Sequence, residues 1–437
     1  MQNLIKLFKE FSAFEHASEN AKKALEFLTD FCRKRGAKIA VDSAGNLLAT
    51  IGEAKVCLQA HYDMVSIGDH PPKIVIENDW IRAANGALGA DNGIAVAAML
   101  DLIEREVAGE YLFTNDEEIG LLGASKLEVI PKSKYIINLD GENDSEIIVG
   151  CAGGAEYYLN KKIKYELIKD AKNYKPFKIS AKNCAGGHSG VDIHKDIENA
   201  ILKVVELAKT HGATVSMIAG GERINSIAKH CEAIVLIPAK KSVKSFDEIS
   251  KNPLYNFTEM SPLESVDFNV IAEDEKLLDI LTIAPHGVFS FDGEKHIVSQ
   301  SNNFAKISVK NGELNIVFFA RANSRYLMQK IDQKIRAFAS VCGFEISEKN
   351  RYAAWENKDN FLVEKISDLM RKIGQKPKIN IMHAGLECGV LKNKSPQAEI
   401  VSIGMQIESP HSANERVYIP SIEKFHKLLN EITQEFN

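Results

Sequence analysis

Five side chains of metal-binding type stand at or soon after the ends of short apolar segments. They are His61 in "VCLQAHYDMV", Asp91 in "GALGADNGIAVA", Glu118 in "YLFTNDEEIG", Asp140 in "YIINLDGEN" and His411 in "IVSIGMQIESPHSANE". Four of the five follow segments typical of buried parallel strands, and open α/β sheets place their chemistry at the carboxyl ends of such strands. Two imidazoles and three carboxylates, one of them shared, can hold two divalent cations. The pattern therefore predicts a two-metal site.

Each of these residues also has an ordinary interpretation when it is taken alone. Asp91 begins a predicted helix, where an aspartate is often only an N-cap. Adjacent acids such as Glu117 and Glu118 are often a solvated turn, and a loop histidine such as His411 often has no special role. The prediction depends on finding five residues of metal-binding type at comparable places, rather than on any one of them. A carboxylate that binds two cations often needs an unusual main-chain conformation. We therefore expect such a conformation at the Asp91–Asn92 peptide.

Two neighbours of these ligands suggest supporting chemistry. Asp63 follows His61 in an H-x-D pattern, and a carboxylate beside a metal-bound imidazole fixes its tautomer and orientation. Glu117 precedes Glu118 directly. Such a pair allows one carboxylate to bind metal while the other moves protons.

The elements that must position these residues are those of an α/β protein. Helical and strand patterns alternate up to about residue 150, which predicts a largely parallel central sheet flanked by helices. Alternating polar and apolar strands then indicate antiparallel sheet, and the α/β pattern returns after about residue 355. We therefore predict a discontinuous catalytic domain, residues 1–152 and 356–437, interrupted by an inserted α+β domain, residues 153–355.

Composition narrows the class of protein. The 437 residues are 45% hydrophobic and 26% charged, with a formal net charge of -5, which gives no basic surface for nucleic acid and no polybasic segment for a membrane. No segment approaches the ~20 apolar residues of a membrane span, and the first residues lack a signal-peptide core. The seven cysteines are scattered singly, which favours reduced core thiols over disulfides or a thiolate zinc site. These features predict a cytoplasmic protein.

The motifs also resemble those of a known family. "HYDMV", "LGADNGIAVAAML", "NDEEIGLLGA", "NLDGEN", "GCAGG", "GGHSGVDIH", "HAGLECG" and "SPHSANE" occur in the order found in bacterial aminoacyl-histidine dipeptidases. These belong to the co-catalytic zinc peptidases, which include carnosinase, aminoacylase and carboxypeptidase G. The resemblance covers nearly the whole chain. It implies a dipeptidase that acts on small peptides, as a monomer or a homodimer, with the insertion as a lid domain.

The resemblance also implies roles for the metal ligands. His61 and Asp140 would hold one zinc ion, Glu118 and His411 would hold the other, and Asp91 would bridge the two. Mixed imidazole and carboxylate ligands suit zinc, with manganese or cobalt as alternatives.

Further roles are implied for residues that do not bind metal. Glu117 is similar to the general base, Asp63 to the partner of His61, and His188 in "GGHSG" to a donor for the oxyanion. The candidates for substrate binding are Asn225, Arg321, Arg325, His383 and Glu387. An arginine suits a substrate carboxylate because its donors form a fork. The runs "RINSIAKH" and "ARANS" depart from the usual family pattern, so substrate preference transfers less safely than chemistry.

Three other functions remain open. Deacylation of N-acyl amino acids would use the same metal site. A non-catalytic metal-binding scaffold is a second alternative, and the intact Glu117 argues against it. A nucleotide-binding protein is a third, but "GALGADNG" matches neither G-x-G-x-x-G nor a P-loop.

Overall fold

A computed structural model describes residues 2–167, 173–240, 252–260, 269–271, 274–293, 297–310, 312–356 and 361–436. The chain forms two compact units. The first unit comprises Met1–Cys151 and Trp355–Asn437, and the second unit comprises Ala152–Ala354.

The first unit contains both helices and strands in each of its two segments. Its helices are α1 (Gln2–Phe11), α2 (Lys22–Lys34), α3 (Ala90–Glu104), α4 (Leu122–Ser125), α8 (Phe361–Lys372), α9 (Glu387–Lys394) and α10 (Ile419–Phe436). Its strands are β1 (Lys38–Val41), β2 (Leu47–Ile51), β3 (Val56–His61), β4 (Ile74–Glu77), β5 (Trp80–Ala83), β6 (Gly109–Thr114), β7 (Tyr135–Gly141), β8 (Glu146–Cys151), β22 (Trp355–Glu356), β23 (Lys378–Met382), β24 (Glu399–Gly404), β25 (Ile407–Glu408) and β26 (Arg416–Tyr418).

The α/β class predicted for this unit is confirmed, and its central sheet is mixed. The strand order is β1-β2-β6-β3-β7-β24-β8-β22, with β23 paired to β8. The four middle strands β6, β3, β7 and β24 are mutually parallel, whereas β1, β2 and β22 pair only in the antiparallel sense. Because β1 and β2 are joined only by residues 42–46, they cannot form the long crossover that a parallel pair needs.

The middle strands are buried because helices cover both faces of the sheet. Every residue of β3 and of β6 is buried, as expected for parallel strands with near-continuous apolar sequences. Residues 93–100 of helix α3 are apolar without exception, and all of them are buried. At Gly93 an added Cβ would lie 3.0 Å from the Phe8 ring of α1, closer than an ordinary contact, so the glycine favours close packing of these helices. The start of α3 is thus held by the core.

The second unit is an antiparallel sheet with helices. Its strands are β9 (Gly153–Lys162), β10 (Tyr165–Leu167), β11 (Tyr174–Ala181), β12 (Gly187–His188), β13 (Thr214–Gly220), β14 (Ser226–Ile227), β15 (Cys231–Pro238), β16 (Tyr255–Glu259), β17 (Asn269–Ile271), β18 (Gly287–Phe291), β19 (Val298–Lys310), β20 (Glu313–Ala322) and β21 (Glu345–Tyr352). Its helices are α5 (Ala200–Thr210), α6 (Asp274–Thr282) and α7 (Arg325–Cys342). The main sheet has the order β16-β11-β15-β13-β19-β20-β9-β21, with every pair antiparallel.

Two predictions made from composition concern the whole chain. All seven cysteines are buried, and none of them forms a disulfide. Within the described residues, no helix combines the length and the apolar character that crossing a membrane requires.

Candidate metal centre

The carboxyl ends of three adjacent parallel strands carry predicted ligands. His61 is the last residue of β3, Asp140 is near the end of β7, and Glu118 follows β6. The register pairs Gln59 of β3 with Asn138 of β7, so His61 and Asp140 each lie two residues beyond that pair. The parallel register therefore brings these ligands to one edge of the sheet, as predicted from the sequence.

Asp91 lies between the two histidines. Its Oδ1 is 3.1 Å from Nε2 of His61, and its Oδ2 is 3.0 Å from Nε2 of His411. The residue stands at the start of α3 with non-helical dihedral angles, and the Asp91–Asn92 peptide is cis. Each oxygen of one carboxylate thus faces a different imidazole.

Each imidazole has a second carboxylate of its own. Oδ1 of Asp140 is 3.3 Å from Nε2 of His61, and Oε2 of Glu118 is 3.0 Å from Nε2 of His411. The structure therefore brings together all five predicted ligands as two half-sites that share Asp91. We call the His61, Asp140 and Asp91 group the first half-site, and the His411, Glu118 and Asp91 group the second half-site.

The donor set and its spacing fit divalent cations. Two ligand atoms that are each about 2.0–2.1 Å from a tetrahedral zinc ion lie roughly 3.3 Å apart, which matches the separations above. Ligand atoms of His61 from the first half-site, Glu118 from the second and the shared Asp91 all lie within 4.8 Å of one another, so the two half-sites are adjacent. Oε1 of Glu118 is buried without a hydrogen-bond partner, so a further oxygen ligand is available.

The imidazoles and carboxylates of the half-sites shift one another's pKa values. Burial lowers the pKa of His411, but hydrogen bonds to Asp91 and Glu118 outweigh it and raise this pKa to about 12. Burial raises the pKa of Asp91, but hydrogen bonds from His411 and His61 outweigh it and hold this pKa below its usual range. Since the same imidazole nitrogens bind protons or metal, cations must displace protons from them.

Glu117 lies beside these ligands and has a different environment. Burial raises its pKa well above the usual range; His61 opposes this rise, and the negative charges of Glu118, Asp140 and Glu387 add to it. A carboxyl group with a raised pKa is suited to accept and return a proton near neutral pH.

The contacts of Asp63 differ in part from those expected. Nδ1 of His61 is 3.0 Å from the main-chain oxygen of Asp63, whereas the Asp63 carboxylate is 3.6 Å away. The carboxylate also accepts hydrogen bonds from the main-chain N–H groups of Glu117 and Glu118 and from the hydroxyl of Ser18, at 3.0, 3.3 and 2.7 Å. Its nearest polar contacts therefore fix the turn that carries the two glutamates, while a carbonyl fixes the His61 ring.

Glu387 and His383 are both buried in the first unit. Glu387 begins α9 with no exposed surface, and its Oε2 accepts hydrogen bonds from Oγ1 of Thr114 (2.7 Å) and Nε2 of Gln59 (2.5 Å). Burial raises its pKa to about 7. His383 is 6% exposed. The described contacts of Glu387 are internal ones, and the predicted contact of both residues with substrate stays a prediction.

In the second unit, His188 and Arg321 are neighbours. Nδ1 of His188 accepts hydrogen bonds from the main-chain N–H groups of Gly190 and Val191, so the ring proton resides on Nε2, which is then a donor. Arg321 is 3% exposed, and its guanidinium donates to the hydroxyl of Tyr352 at 2.8 Å. Its Nη2 lies 3.4 Å from Nε2 of His188, and no carboxylate of the described residues pairs with it. Nη2 of Arg321 also donates to the hydroxyl of Ser189 at 3.4 Å, so the guanidinium and the His188 ring lie side by side.

The other two candidates of the second unit are exposed. The main-chain oxygen of Asn225 accepts from the N–H of Ser189, which keeps this residue next to His188. Arg325 is the first residue of α7, after the N-cap Ser324. The structure therefore groups Asn225, His188 and Arg321, whereas Arg325 lies at the start of a surface helix.

Comparison with known proteins gives the family. The model of the peptidase family M20/M25/M40 matches residues 57–435, which is most of the chain and includes every ligand of both half-sites. The protein belongs to this family. Membership makes it a hydrolase that acts on peptide bonds, and it confirms the resemblance to co-catalytic peptidases drawn from the motifs.

The similarity to individual members of this peptidase family extends over whole chains. The cytosol non-specific dipeptidase of Escherichia coli (strain K12) is 29% identical, over 99% of this chain and 97% of that protein. The crystal structure of aminoacylhistidine dipeptidase from Vibrio alginolyticus has a TM-score of 0.78 and 26% identity, over 100% of this chain and 96% of that one. A tripeptidase from Staphylococcus aureus shares the fold, with a TM-score of 0.59 and 17% identity over 100% and 98% of the two chains.

Sequence reasoning missed the residues of this peptidase that hold the Asp63 and Glu387 carboxylates in place. Ser18, Gln59 and Thr114 carry no motif, and their partners lie 45, 328 and 273 residues away along the chain. Gln59 offers the one sequence signal among them, because an amide side chain inside a buried strand needs partners.

Proposed function

We propose that the protein is a metal-dependent dipeptidase that hydrolyses small peptides with a water molecule activated by two divalent cations. The observation that carries this proposal is the Asp91 carboxylate, which directs one oxygen to each of two imidazoles that have carboxylates of their own. The dipeptidase names of the E. coli and Vibrio alginolyticus relatives support a dipeptide as substrate and favour it over an N-acyl amino acid. The name of the E. coli protein likewise supports a cytoplasmic location.

In this proposal the two half-sites hold the cations. His61 and Asp140 would hold one, Glu118 and His411 would hold the other, and Asp91 would serve both. Imidazole and carboxylate ligands suit zinc, and manganese or cobalt are the alternatives. When bound, the cations lower the pKa of water and polarise the peptide carbonyl.

The remaining steps belong to residues that do not bind metal. Glu117 accepts a proton from the attacking water and passes it to the departing amine. Asp63 holds the turn of Glu117 in place through its hydrogen bond to the main chain. Nε2 of His188 donates a hydrogen bond to the oxyanion, and Arg321 binds the free carboxylate of the dipeptide.

A hydrolysis panel tests the proposed function. The purified protein, loaded with zinc, is assayed on Gly-Gly, Ala-His and an N-acetyl amino acid, with and without a chelator. We expect turnover of the dipeptides, loss of turnover with the chelator, and recovery on addition of zinc. Turnover of the N-acetyl amino acid alone would identify a deacylase, and turnover that persists in the chelator would refute a metal-dependent reaction.

The role of Arg321 gives a second prediction. Replacing Arg321 by glutamine should lower kcat/KM for a dipeptide about 10- to 100-fold, because a hydrogen bond to a charged group contributes roughly 1.5–3 kcal/mol. A dipeptide with an amidated C-terminus lacks that charge, so its kcat/KM should change little. Steady-state kinetics on both substrates measure the difference.

The matched control for Arg321 is Arg325→Gln, which removes an exposed guanidinium four residues further along the chain. We expect it to leave both substrates unaffected. A larger loss with Arg325→Gln than with Arg321→Gln would transfer the role to Arg325. An equal loss on the acid and the amide would show that Arg321 does not bind the carboxylate.

A further inference from the structure

Glu415 is a buried carboxylate close to the metal centre that has no role in the mechanism above. It is 2% exposed and lies just before β26, four residues after His411. Its Oε2 accepts hydrogen bonds from the main-chain N–H groups of Leu88 and Gly89, both at 2.9 Å. Its Oε1 accepts from the N–H of Asp91 at 3.1 Å. All three donors belong to the segment that leads into α3.

This arrangement pairs two kinds of polar group that would otherwise destabilise the fold: N–H groups at a helix start and a buried carboxylate. N–H groups at the start of a helix lack partners within the helix, and the helix dipole favours a negative charge there. Burying a carboxylate destabilises the fold unless the carboxylate accepts hydrogen bonds. Both oxygens of Glu415 accept hydrogen bonds from the segment that contains Asp91. The contact is therefore specific to this conformation of the segment.

The segment also has a main-chain conformation that few residues adopt. Gly89 has a φ of +68°, in the left-handed region that favours glycine. Glu415 accepts a hydrogen bond from the N–H of this glycine, so the carboxylate binds the segment at its unusual residue.

Glu415 connects two of the three segments that carry predicted ligands of the second half-site. Its own loop carries His411, and the segment it binds carries Asp91. The same loops meet again through Nε2 of His411 and Oδ2 of Asp91, 3.0 Å apart. Moving the Glu415 side chain would therefore shift Asp91 relative to both imidazoles.

We propose that Glu415 is a positioning residue that holds the main chain of Asp91 so that one carboxylate oxygen faces each half-site. It thereby couples the two half-sites into one centre. This inference rests on the proposed role of Asp91 as the ligand shared by two cations. It assigns to Glu415 no contact with substrate or metal.

The test compares Glu415→Gln with a matched variant, Glu110→Gln. Glu110 is also buried and also binds main-chain N–H groups, those of Lys132 and Ser133 at 2.8–3.0 Å. It lies near the amino end of β6, away from the strand ends that carry the ligands. Both variants place an amide nitrogen against N–H donors, so both should be destabilised, whereas only Glu415→Gln should alter metal binding.

Isothermal titration of the metal-free full-length protein with Zn²⁺ gives the readout, with thermal unfolding measured in parallel. We expect two ions per chain for the wild type and for Glu110→Gln. For Glu415→Gln we expect both ions to bind about 10- to 100-fold more weakly, the usual effect of losing a group that orients a metal ligand. If Glu415→Gln does not fold, Glu415→Asp, which is one methylene too short to make all three hydrogen bonds, carries the test.

Each other outcome overturns the inference in a recognisable way. Wild-type affinity in Glu415→Gln, or an equal loss of affinity in Glu110→Gln, would show that Glu415 only stabilises the fold, and the proposed dipeptidase would stand. Weakening of one ion alone would refute the coupling of the half-sites. Fewer than two ions on the wild-type protein would refute the shared centre itself, and the proposed function with it.

Discussion

Replacing Glu117 by glutamine should leave both cations bound and lower kcat for a dipeptide by about 10²–10⁴-fold, the usual contribution of a general base. Glutamine keeps the size of the side chain but cannot accept the proton of the attacking water. Because burial holds the pKa of Glu117 above its usual range, the wild-type rate should rise with pH as this group loses its proton. That rise should be absent from the residual activity of the variant. Elemental analysis and a pH–rate profile measure the two results.

The neighbouring residue supplies the control for this prediction. Glu118→Gln is the same chemical change one position along the chain, but Glu118 contacts His411 in the second half-site. It should therefore lose metal, whereas Glu117→Gln should not. If Glu117→Gln remained active on a dipeptide, the base would be another residue. If it lost metal as Glu118→Gln does, Glu117 would be a ligand.

The position of the predicted ligands at the strand ends could be inferred because it follows from local sequence. An apolar run fixes a buried strand, and the parallel arrangement of such strands places the residues that follow them at one edge of the sheet. This reasoning applies to His61, Glu118 and Asp140, which the structure brings together with Asp91. The antiparallel direction of the outer strands was harder to predict from the sequence, because β1 and β2 are short and their pairing depends on the connecting turn.

The hydrogen bonds that hold the ligands in place were not predictable in the same way. Glu415 binds main-chain N–H groups that are more than 320 residues away along the chain. Almost every residue has a main-chain N–H group, so the sequence does not indicate which of them a carboxylate will bind. The carboxylate of Asp63 was expected to support the His61 ring, but the same strand end also offers a carbonyl oxygen, which lies closer. Which of two adjacent oxygens an imidazole contacts depends on the local path of the chain. The motifs predict the ligands, whereas the contacts that orient these side chains require coordinates.

Replacing Asp91 by asparagine should remove both cations. Loss of both ions would distinguish a ligand shared by two cations from a ligand of one cation. The amide keeps the size of the side chain, but only its oxygen can bind metal, and it carries no negative charge. Each half-site would then retain one imidazole and one carboxylate, too few protein ligands for a stable zinc site. Elemental analysis after dialysis should therefore give close to two ions per chain for the wild type and close to none for Asp91→Asn.

The single-site variants His411→Ala and Asp140→Asn make this result decisive. Each removes a ligand from one half-site only, so each should keep roughly one ion in the other half-site. If Asp91→Asn also kept one ion, Asp91 would belong to a single half-site, and its second oxygen would only accept a hydrogen bond. If all three variants lost both ions, the half-sites would fill only together, and titration of the wild type would then show a single cooperative step.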